Sequence, residues 1–250
     1  MGLIGAIAGR EIRSYFVGPA AWIILAVVQF IAAYVFLMRL ELFLQNQPQL
    51  ATLDSGPGVT SVVIAPTLGT LGFVVLLVAP VLTMRVFSEE RRSHTLNLLL
   101  TAPVSLTQIV LGKFFGVMFF FSVMTMMLAM MPLSLLAGAP IDLAQTGLGL
   151  VGLWLLLGAL TALGLFISAS TTTPTIAGVA SFGLALFLWM IDWAGQESGF
   201  ELLRYLSLSH HYQNLLKGLF DSTDCVYFVL LIASGLALTV WRLDCDRVQA

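Results

Sequence analysis

Charged residues are scarce in this sequence. The chain has 250 residues, of which 11 are Lys or Arg and 13 are Asp or Glu, so charged side chains make up only 10% of it. A water-soluble domain typically carries about one-quarter charged residues. So few charges cannot cover the surface of a soluble fold. They favour an integral membrane protein in contact with the lipid bilayer, and they give no reason to expect a nucleic-acid partner.

Signatures of catalysis and of cofactor binding are also missing. A Walker motif ending at Lys113 would need a glycine at position 107 and Ser or Thr at position 114, and the chain has Thr107 and Phe114 there. No G-x-G-x-x-G segment opens a soluble βαβ unit, and no Ser/His/Asp or zinc-site spacing is present. We therefore expect no enzymatic activity in this chain by itself, no catalytic residue, no cofactor and no metal site.

Long apolar runs dominate what is present. Hydrophobic residues make up 59% of the chain, and its mean hydropathy is +0.98. A helix that crosses a membrane needs roughly 20 apolar residues. The sequence therefore predicts an all-α polytopic membrane protein, with residues 1–250 forming a single transmembrane domain. Six spans are expected at about residues 19–38, 61–84, 114–136, 146–168, 175–193 and 225–241.

The interiors of these six predicted spans contain no titratable cation or carboxylate. Asp192 lies near the outer end of the fifth span, where an interfacial cap is expected. Ion-coupled carriers usually place such groups at mid-membrane depth, because the ion needs a partner there. The energy for any transport is therefore expected to come from outside the chain.

The distribution of Lys and Arg predicts the orientation of the chain. With both termini placed in the cytoplasm, eight cations lie inside and three lie outside, which agrees with the positive-inside rule. The inside set is Arg10, Arg13, Arg85, Arg91, Arg92, Lys113, Arg242 and Arg247, and the outside set is Arg39, Arg204 and Lys217.

Two segments outside the spans have amphipathic patterns. Residues 1–18 predict a helix lying in the membrane interface, with its apolar stripe formed by Leu3, Ile4, Ile7, Ala8, Ile12, Tyr15 and Phe16. Between spans five and six, residues 198–201 fit a capping box, and the following apolar spacing predicts one or two short helices dipping into the outer leaflet. His210 and His211 between them are expected to form a polar kink facing headgroups, with a metal or proton role as the alternative.

The charged hairpin at residues 85–113 is the most distinctive part of the sequence. It lies between two apolar spans and carries four of the eleven Lys and Arg residues. An ordinary positive-inside loop would account for it. The sharper interpretation is a cytoplasmic coupling helix at about residues 86–102 that contacts an ATPase. The residues expected to make this contact are Phe87 and Leu96 as apolar anchors, with Glu89, Glu90, Arg91 and Arg92 supplying the charges.

Residues 84–113 also resemble the corresponding segment of ABC-2 type permeases. The run from Thr95 to Ser105, and the Gly112-Lys113 pair entering the third span, follow the pattern of that family. The chain departs from it at His94, where Gly is usual, and at Asn97, where Glu is usual. Residues 10–19 and 218–228 are similar to the gliding-motility-associated subgroup of these permeases.

The resemblance implies a permease subunit of a bacterial inner-membrane ABC transporter. A separate cytoplasmic ATPase would bind ATP and Mg²⁺, and the permease would pair with a second copy or with a homologous permease. Related systems often add a membrane-anchored subunit with an outer-face domain. The expected activity is ATP-driven movement of a substrate, by export, and a lipid-linked, polymeric or hydrophobic cargo would suit the apolar spans.

Two other functions remain open from the sequence. The chain could be a non-transporting module that transmits ATPase motion to an outer-face partner, or an ion-coupled carrier or cofactor-binding subunit. Small residues spaced four apart bear on the assembly, because they let helices approach closely in lipid. The pairs Gly5/Gly9 and Gly112/Gly116 and the glycine-rich fourth span could serve a dimer or packing within the chain.

Overall fold

The computed structural model describes residues 2–50, 58–93, 95, 104–138, 140–194 and 204–249. Regular structure within these ranges is entirely helical. The α-helices are α1 (Gly2–Val17), α2 (Pro19–Leu50), α3 (Ala65–Thr83), α4 (Ser88–Arg92), α5 (Leu106–Ser134), α6 (Leu143–Ser170), α7 (Pro174–Ala194), α8 (Leu208–Leu216) and α9 (Ser222–Gln249). A π-helical turn, Thr60–Ile64, leads into α3, and a 3-10 turn, Leu135–Ala137, follows α5.

Six stretches of helix are long and apolar enough to cross a membrane. They are Pro19–Gln47, Thr60–Arg92, Leu106–Ser134, Leu143–Ser170, Pro174–Asp192 and Ser222–Arg247. The prediction of an all-α fold with six membrane helices is therefore confirmed. Many large apolar side chains on the outside of the bundle are exposed, as expected for a surface that lipid covers.

Two of the helices, α2 and α9, extend well beyond the apolar runs from which the spans were predicted. α2 continues to Leu50, and Asn46 in this extension donates to the Leu42 carbonyl at 2.8 Å. α9 continues to Gln249, with an i,i+4 ion pair of 3.0 Å between Arg242 and Asp246. Polar residues with adequate helix propensity prolong a helix past the hydrocarbon boundary, so hydropathy alone places these ends too early.

α5 begins at Leu106, and not near residue 114 where the third span was predicted. Ser105 forms a capping box with Gln108: the Gln108 N–H donates to Ser105 Oγ, and the Ser105 N–H donates to Gln108 Oε1, both at 3.3 Å. Ser105 is therefore the N-cap of α5. The helix that it opens runs without interruption into the membrane helix.

α6 lies at the centre of the bundle. It packs against α3, α5, α7, α8 and α9, with its most extensive contact on α9. In its most apolar stretch 72% of the residues are buried, against 22–50% for the other five membrane helices. Neighbours lie against its glycines: a Cβ at Gly149 would come within 2.8 Å of Leu68, and one at Gly158 within 2.9 Å of Ile232. These glycines of α6 therefore serve packing within the chain.

α1 packs along the first half of α5. A Cβ at Gly112 would lie 2.7 Å from Ile7, and one at Gly116 would lie 2.7 Å from Glu11, whereas Gly5 and Gly9 have no neighbour within 4 Å. The Gly112/Gly116 pair therefore brings α1 and α5 of the same chain together. The partly buried face of α1 follows the predicted apolar stripe, except that Leu3 is exposed and Glu11 joins the buried side.

α8 is inserted into the bundle, which corrects the expectation that this segment dips into lipid. Tyr212 is fully buried and donates its hydroxyl proton to the Leu68 carbonyl of α3 at 2.7 Å. Gly218 ends the helix in the left-handed conformation (φ 77°), which a residue without Cβ adopts without strain. The capping box predicted at residues 198–201 lies outside the described residues.

Candidate functional site

The predicted coupling segment begins with a short helix held by one serine of α6. Ser168 Oγ accepts from the backbone N–H groups of Phe87 and Ser88, at 3.1 Å each, and donates to the Met84 carbonyl at 3.0 Å. The Ser88 hydroxyl also donates to the Met84 carbonyl. The turn between α3 and α4 is therefore bonded to the central helix of the bundle.

Lys113 joins three elements at this end of the molecule. Its side chain, on the second turn of α5, is 3% exposed. Nζ donates to Glu11 Oε1 of α1 at 2.9 Å, to Glu90 Oε1 of α4 at 2.7 Å and to the Val86 carbonyl at 2.9 Å. An ammonium group has three protons, so this arrangement uses all of them.

The Phe87 ring is part of the core. It is 0% exposed, and Lys113 Nζ lies 5.0 Å from its centroid, within the range of a cation–π contact. In this conformation Phe87 offers no surface to another protein. The ring anchors α4 to its own bundle, and direct contact of Phe87 with a partner stays a prediction.

Arg91 links α4 to the last helix. Its guanidinium donates to Asp246 of α9, and Asp246 also pairs with Arg242. Both Arg91 and Asp246 have side chains that are 17% exposed. The contact connects residues 155 positions apart in the sequence. Together with the bonds of Ser168 and Lys113 described above, it ties α4 to α1, α5, α6 and α9.

The remaining residues of α4 face outward. Glu89 and Arg92 are exposed, as are Ser93 and Thr95 after the helix. Glu90 and Arg91 are engaged in the ion pairs described above. Leu96, the second predicted anchor, and the rest of the predicted 86–102 helix beyond Thr95 lie outside the described residues. The predicted charges therefore divide into two that hold α4 in place and two that are available at its tip.

Sequence reasoning missed the three partners that hold this segment: Glu11, Ser168 and Asp246. Glu11 is not part of the apolar stripe predicted for α1, and Ser168 is the last residue of the predicted fourth span. The only signal for Glu11 was its placement on the face of α1 that carries Ile7 and Tyr15. Nothing in the spacing indicated Ser168 or Asp246.

The opposite end of the bundle contains a buried contact between a histidine and a carboxylate. His211 in α8 is 2% exposed and Asp224 in α9 is 3% exposed. His211 Nδ1 lies 2.5 Å from Asp224 Oδ1, and Nε2 lies 2.8 Å from the Tyr205 carbonyl. Tyr227 stacks on the imidazole with ring centroids 4.0 Å apart. His211 therefore does not face headgroups, and it has a carboxylate partner that sequence spacing did not reveal.

The neighbouring His210 has a different environment. Desolvation lowers its pKa, and the nearby Arg204 and His211 lower the pKa further, while Asp192, 3.9 Å away, opposes them. His210 is therefore neutral at neutral pH. Of the two histidines, only His211 makes a short contact with a carboxylate.

Comparison with known protein families gives one match. The model of the family described as ABC-2 family transporter protein matches residues 5–244. This chain belongs to that family. No curated protein matches it. ABC-2 permeases are the transmembrane components of ABC transporters and not their ATPases, so the chain is a multi-pass permease subunit that works with a cytoplasmic ABC ATPase.

Proposed function

We propose that this ABC-2 permease subunit receives ATP-driven motion at the exposed tip of α4 and uses it to export a substrate. The observation that carries the proposal is the division of charges on α4. Glu90 and Arg91 bind the bundle through Lys113 and Asp246, while Glu89 and Arg92 are exposed. A short helix that is fixed on one side and charged on the other suits the transmission of force.

The same contacts suggest how motion would spread. A displacement of α4 pulls on α5 through Lys113, on α1 through Glu11 bound to the same ammonium, and on α9 through Asp246. Closure of two ATPase subunits would carry α4 with them, and the gate between paired permeases would rearrange. α1 would act as a lever on the inner leaflet.

Substrate class and assembly are part of this proposal. The membrane helices of the described chain have an apolar exterior and few polar side chains, which suits a lipid-linked or otherwise hydrophobic cargo. The proposal includes pairing of the chain with a second copy or with a homologous permease. It also includes an orientation with both termini in the cytoplasm of a bacterial inner membrane, and membership of the gliding-motility-associated subgroup.

A second function uses the same site without transport. In that case the permease transmits ATPase motion to an outer-face partner. ATP hydrolysis by a complex reconstituted from only the permease and the ATPase distinguishes the two functions. Stimulation of hydrolysis by an added candidate substrate favours transport. Hydrolysis that depends on an outer-face subunit favours transmission of motion.

Charge reversal at the tip of α4 tests the coupling assignment. The tagged chain is purified from its own host with its ATPase, and both co-purification and ATP hydrolysis are measured. The double variant Glu89→Lys/Arg92→Glu is expected to lose at least about tenfold in ATPase retention, because each reversed side chain would face a like charge, which costs several kcal/mol at an interface.

The matched control is Arg39→Glu/Glu41→Lys, which reverses two exposed charges on α2 at the other end of the bundle. It is expected to keep the ATPase. Phe87→Ala is expected to lower the melting temperature of the permease alone, because it leaves a cavity in the core. Normal retention and turnover in the α4 double variant would show that α4 is not the coupling surface.

A further inference from the structure

A cavity of about 580 Å³ lies beside the coupling segment, between the α1–α2 elbow and the end of α3. This volume is in the range of ligand-binding pockets in proteins. One side of the cavity is apolar and is formed mainly by Tyr15, Ala21, Ile24, Val81 and Leu82. Four of these five residues belong to the first two membrane-crossing stretches, so the apolar side lies next to the hydrocarbon of the bilayer.

The other side of the cavity carries charges of both signs. Arg10 and Arg85 line it, and within the described ranges neither makes an ion pair. Both arginines are exposed. Two guanidinium groups without carboxylate partners form a site for an oxyanion, because the planar fork of arginine matches phosphate geometry.

Glu90 provides a carboxylate oxygen that could accept a hydrogen bond from a cation in the cavity. Its Oε1 accepts from Lys113, but its Oε2 is buried and has no hydrogen-bond partner among the residues that the structure describes. A buried carboxylate oxygen without a donor is costly, and a primary ammonium would satisfy it. Glu89 and Glu11 line the same cavity and add to its negative side.

Tyr15 contributes a phenol to the lining of the cavity. Burial raises its pKa, and the nearby Glu11 carboxylate raises the pKa further. The side chain is therefore a neutral hydroxyl. It can donate to an oxygen of a bound molecule without adding charge.

We propose that this cavity binds the phosphoethanolamine headgroup of a phospholipid. The phosphate would lie at Arg10 and Arg85, the primary ammonium at Glu90 Oε2, and the acyl chains along the apolar side toward the bilayer. The three cations and three carboxylates that line the cavity balance each other, which favours a zwitterionic headgroup over an anionic one. The proposal does not depend on the ATPase contact.

Binding of defined lipids to the full purified chain tests this site. The detergent-solubilised protein is incubated with equal amounts of phosphatidylethanolamine, phosphatidylcholine or phosphatidylglycerol of the same acyl chains, and native mass spectrometry gives the bound fraction. Phosphatidylethanolamine is expected to bind about tenfold better than either of the others, because choline has no N–H to donate and glycerol has no cation.

Three variants assign the preference to the cavity. Arg85→Gln is expected to lower phosphatidylethanolamine binding by about tenfold, whereas Arg92→Gln, an exposed arginine outside the cavity, is expected to leave it unchanged. Glu90→Gln keeps an oxygen for Lys113 and is expected to remove the preference over phosphatidylcholine. A thermal melt of each variant shows that it is folded.

Two results would overturn the proposal. If phosphatidylglycerol binds as well as phosphatidylethanolamine and Glu90→Gln has no effect, the cavity is only an anion site. If Arg85→Gln and Arg92→Gln act alike, the lipid binds elsewhere on the bundle.

Discussion

At the scale of single residues, two buried polar clusters stand out in an otherwise apolar bundle. Lys113 is neutralised by Glu11 and Glu90 at the α4 end, and His211 contacts Asp224 at the opposite end. Taking such groups out of water is costly, and the cost is offset only while the partner is present. Each pair therefore fixes the position of the helices that carry it.

The His211–Asp224 pair gives a residue-level prediction. His211→Leu leaves the Asp224 carboxylate buried without its partner, and the expected loss of stability is about 3–5 kcal/mol. The double variant His211→Leu/Asp224→Leu is expected to be more stable than the single variant, since it leaves no buried charge. Thermal unfolding of the detergent-solubilised chain measures both.

His210→Leu is the control, because it is the same substitution at the adjacent histidine, whose nearest carboxylate lies 3.9 Å away. It is expected to change stability by much less than His211→Leu. The pair has no structural role if the single and double variants unfold at the same temperature, or if the two histidine variants are equivalent.

At the scale of elements, α1 and α5 depend on close approach of their backbones. The two glycines of α5 that face α1, Gly112 and Gly116, leave space for Ile7 and Glu11. Glu11 is one of the two ion-pair partners of Lys113. The position of α1 therefore also determines how fully the Lys113 charge next to α4 is neutralised. Small residues in α5 are thus linked to the geometry of the predicted coupling site.

Gly116→Leu is expected to displace α1. A Cβ at this position would lie 2.7 Å from the Glu11 Cβ, so the helices must separate at a cost of about 1–3 kcal/mol. Hydrogen exchange of residues 2–17 should become faster in the variant. Gly183→Leu is the control, because no atom lies within 4 Å of a Cβ there. Unchanged exchange in Gly116→Leu would mean that α1 does not need this contact.

The elements could be predicted from the sequence to different degrees. Six membrane helices follow from the length of the apolar runs, but the third was predicted to start near residue 114, whereas Ser105 caps it at Leu106. The ends of α2 and α9 could not be predicted, because propensity prolongs a helix past the point where hydropathy falls. The insertion of α8 was missed because Tyr212 fits an interfacial helix as well as a buried one.

The candidate site was predicted as a segment but not as a set of contacts. Charge density and the family pattern identify residues 86–93. The partners Glu11, Ser168 and Asp246 come from helices far away in the sequence, and single residues of these types occur throughout exposed surfaces. Their roles depend on tertiary packing, which periodicity and spacing do not encode.

At the scale of the whole molecule, the bundle has two chemically distinct ends. The α4 end gathers Arg10, Arg13, Arg85, Arg92 and the charged end of α9, while the opposite end has few cations. The positive-inside rule then predicts that the α4 end faces the cytoplasm.

Cysteine labelling tests this orientation. A membrane-impermeant maleimide applied to intact cells is expected to leave Cys245 unlabelled in a Cys225→Ser background, and to label it after the membrane is opened. Gly58→Cys, added to the same background with Cys245→Ser, provides an exposed thiol at the other end and should react in intact cells. Labelling of Cys245 without lysis would reverse the assigned orientation.

The serine that joins α4 to the central helix has a mechanical consequence. One hydroxyl of Ser168 bonds two amides and one carbonyl, so a displacement that separates the turn at residues 84–88 from α6 breaks all three bonds together. A smaller displacement of α4 carries α6 with it. If the ATPase acts on α4 as proposed, the fourth membrane helix, at the middle of the bundle, is the first to move, and its neighbours follow it.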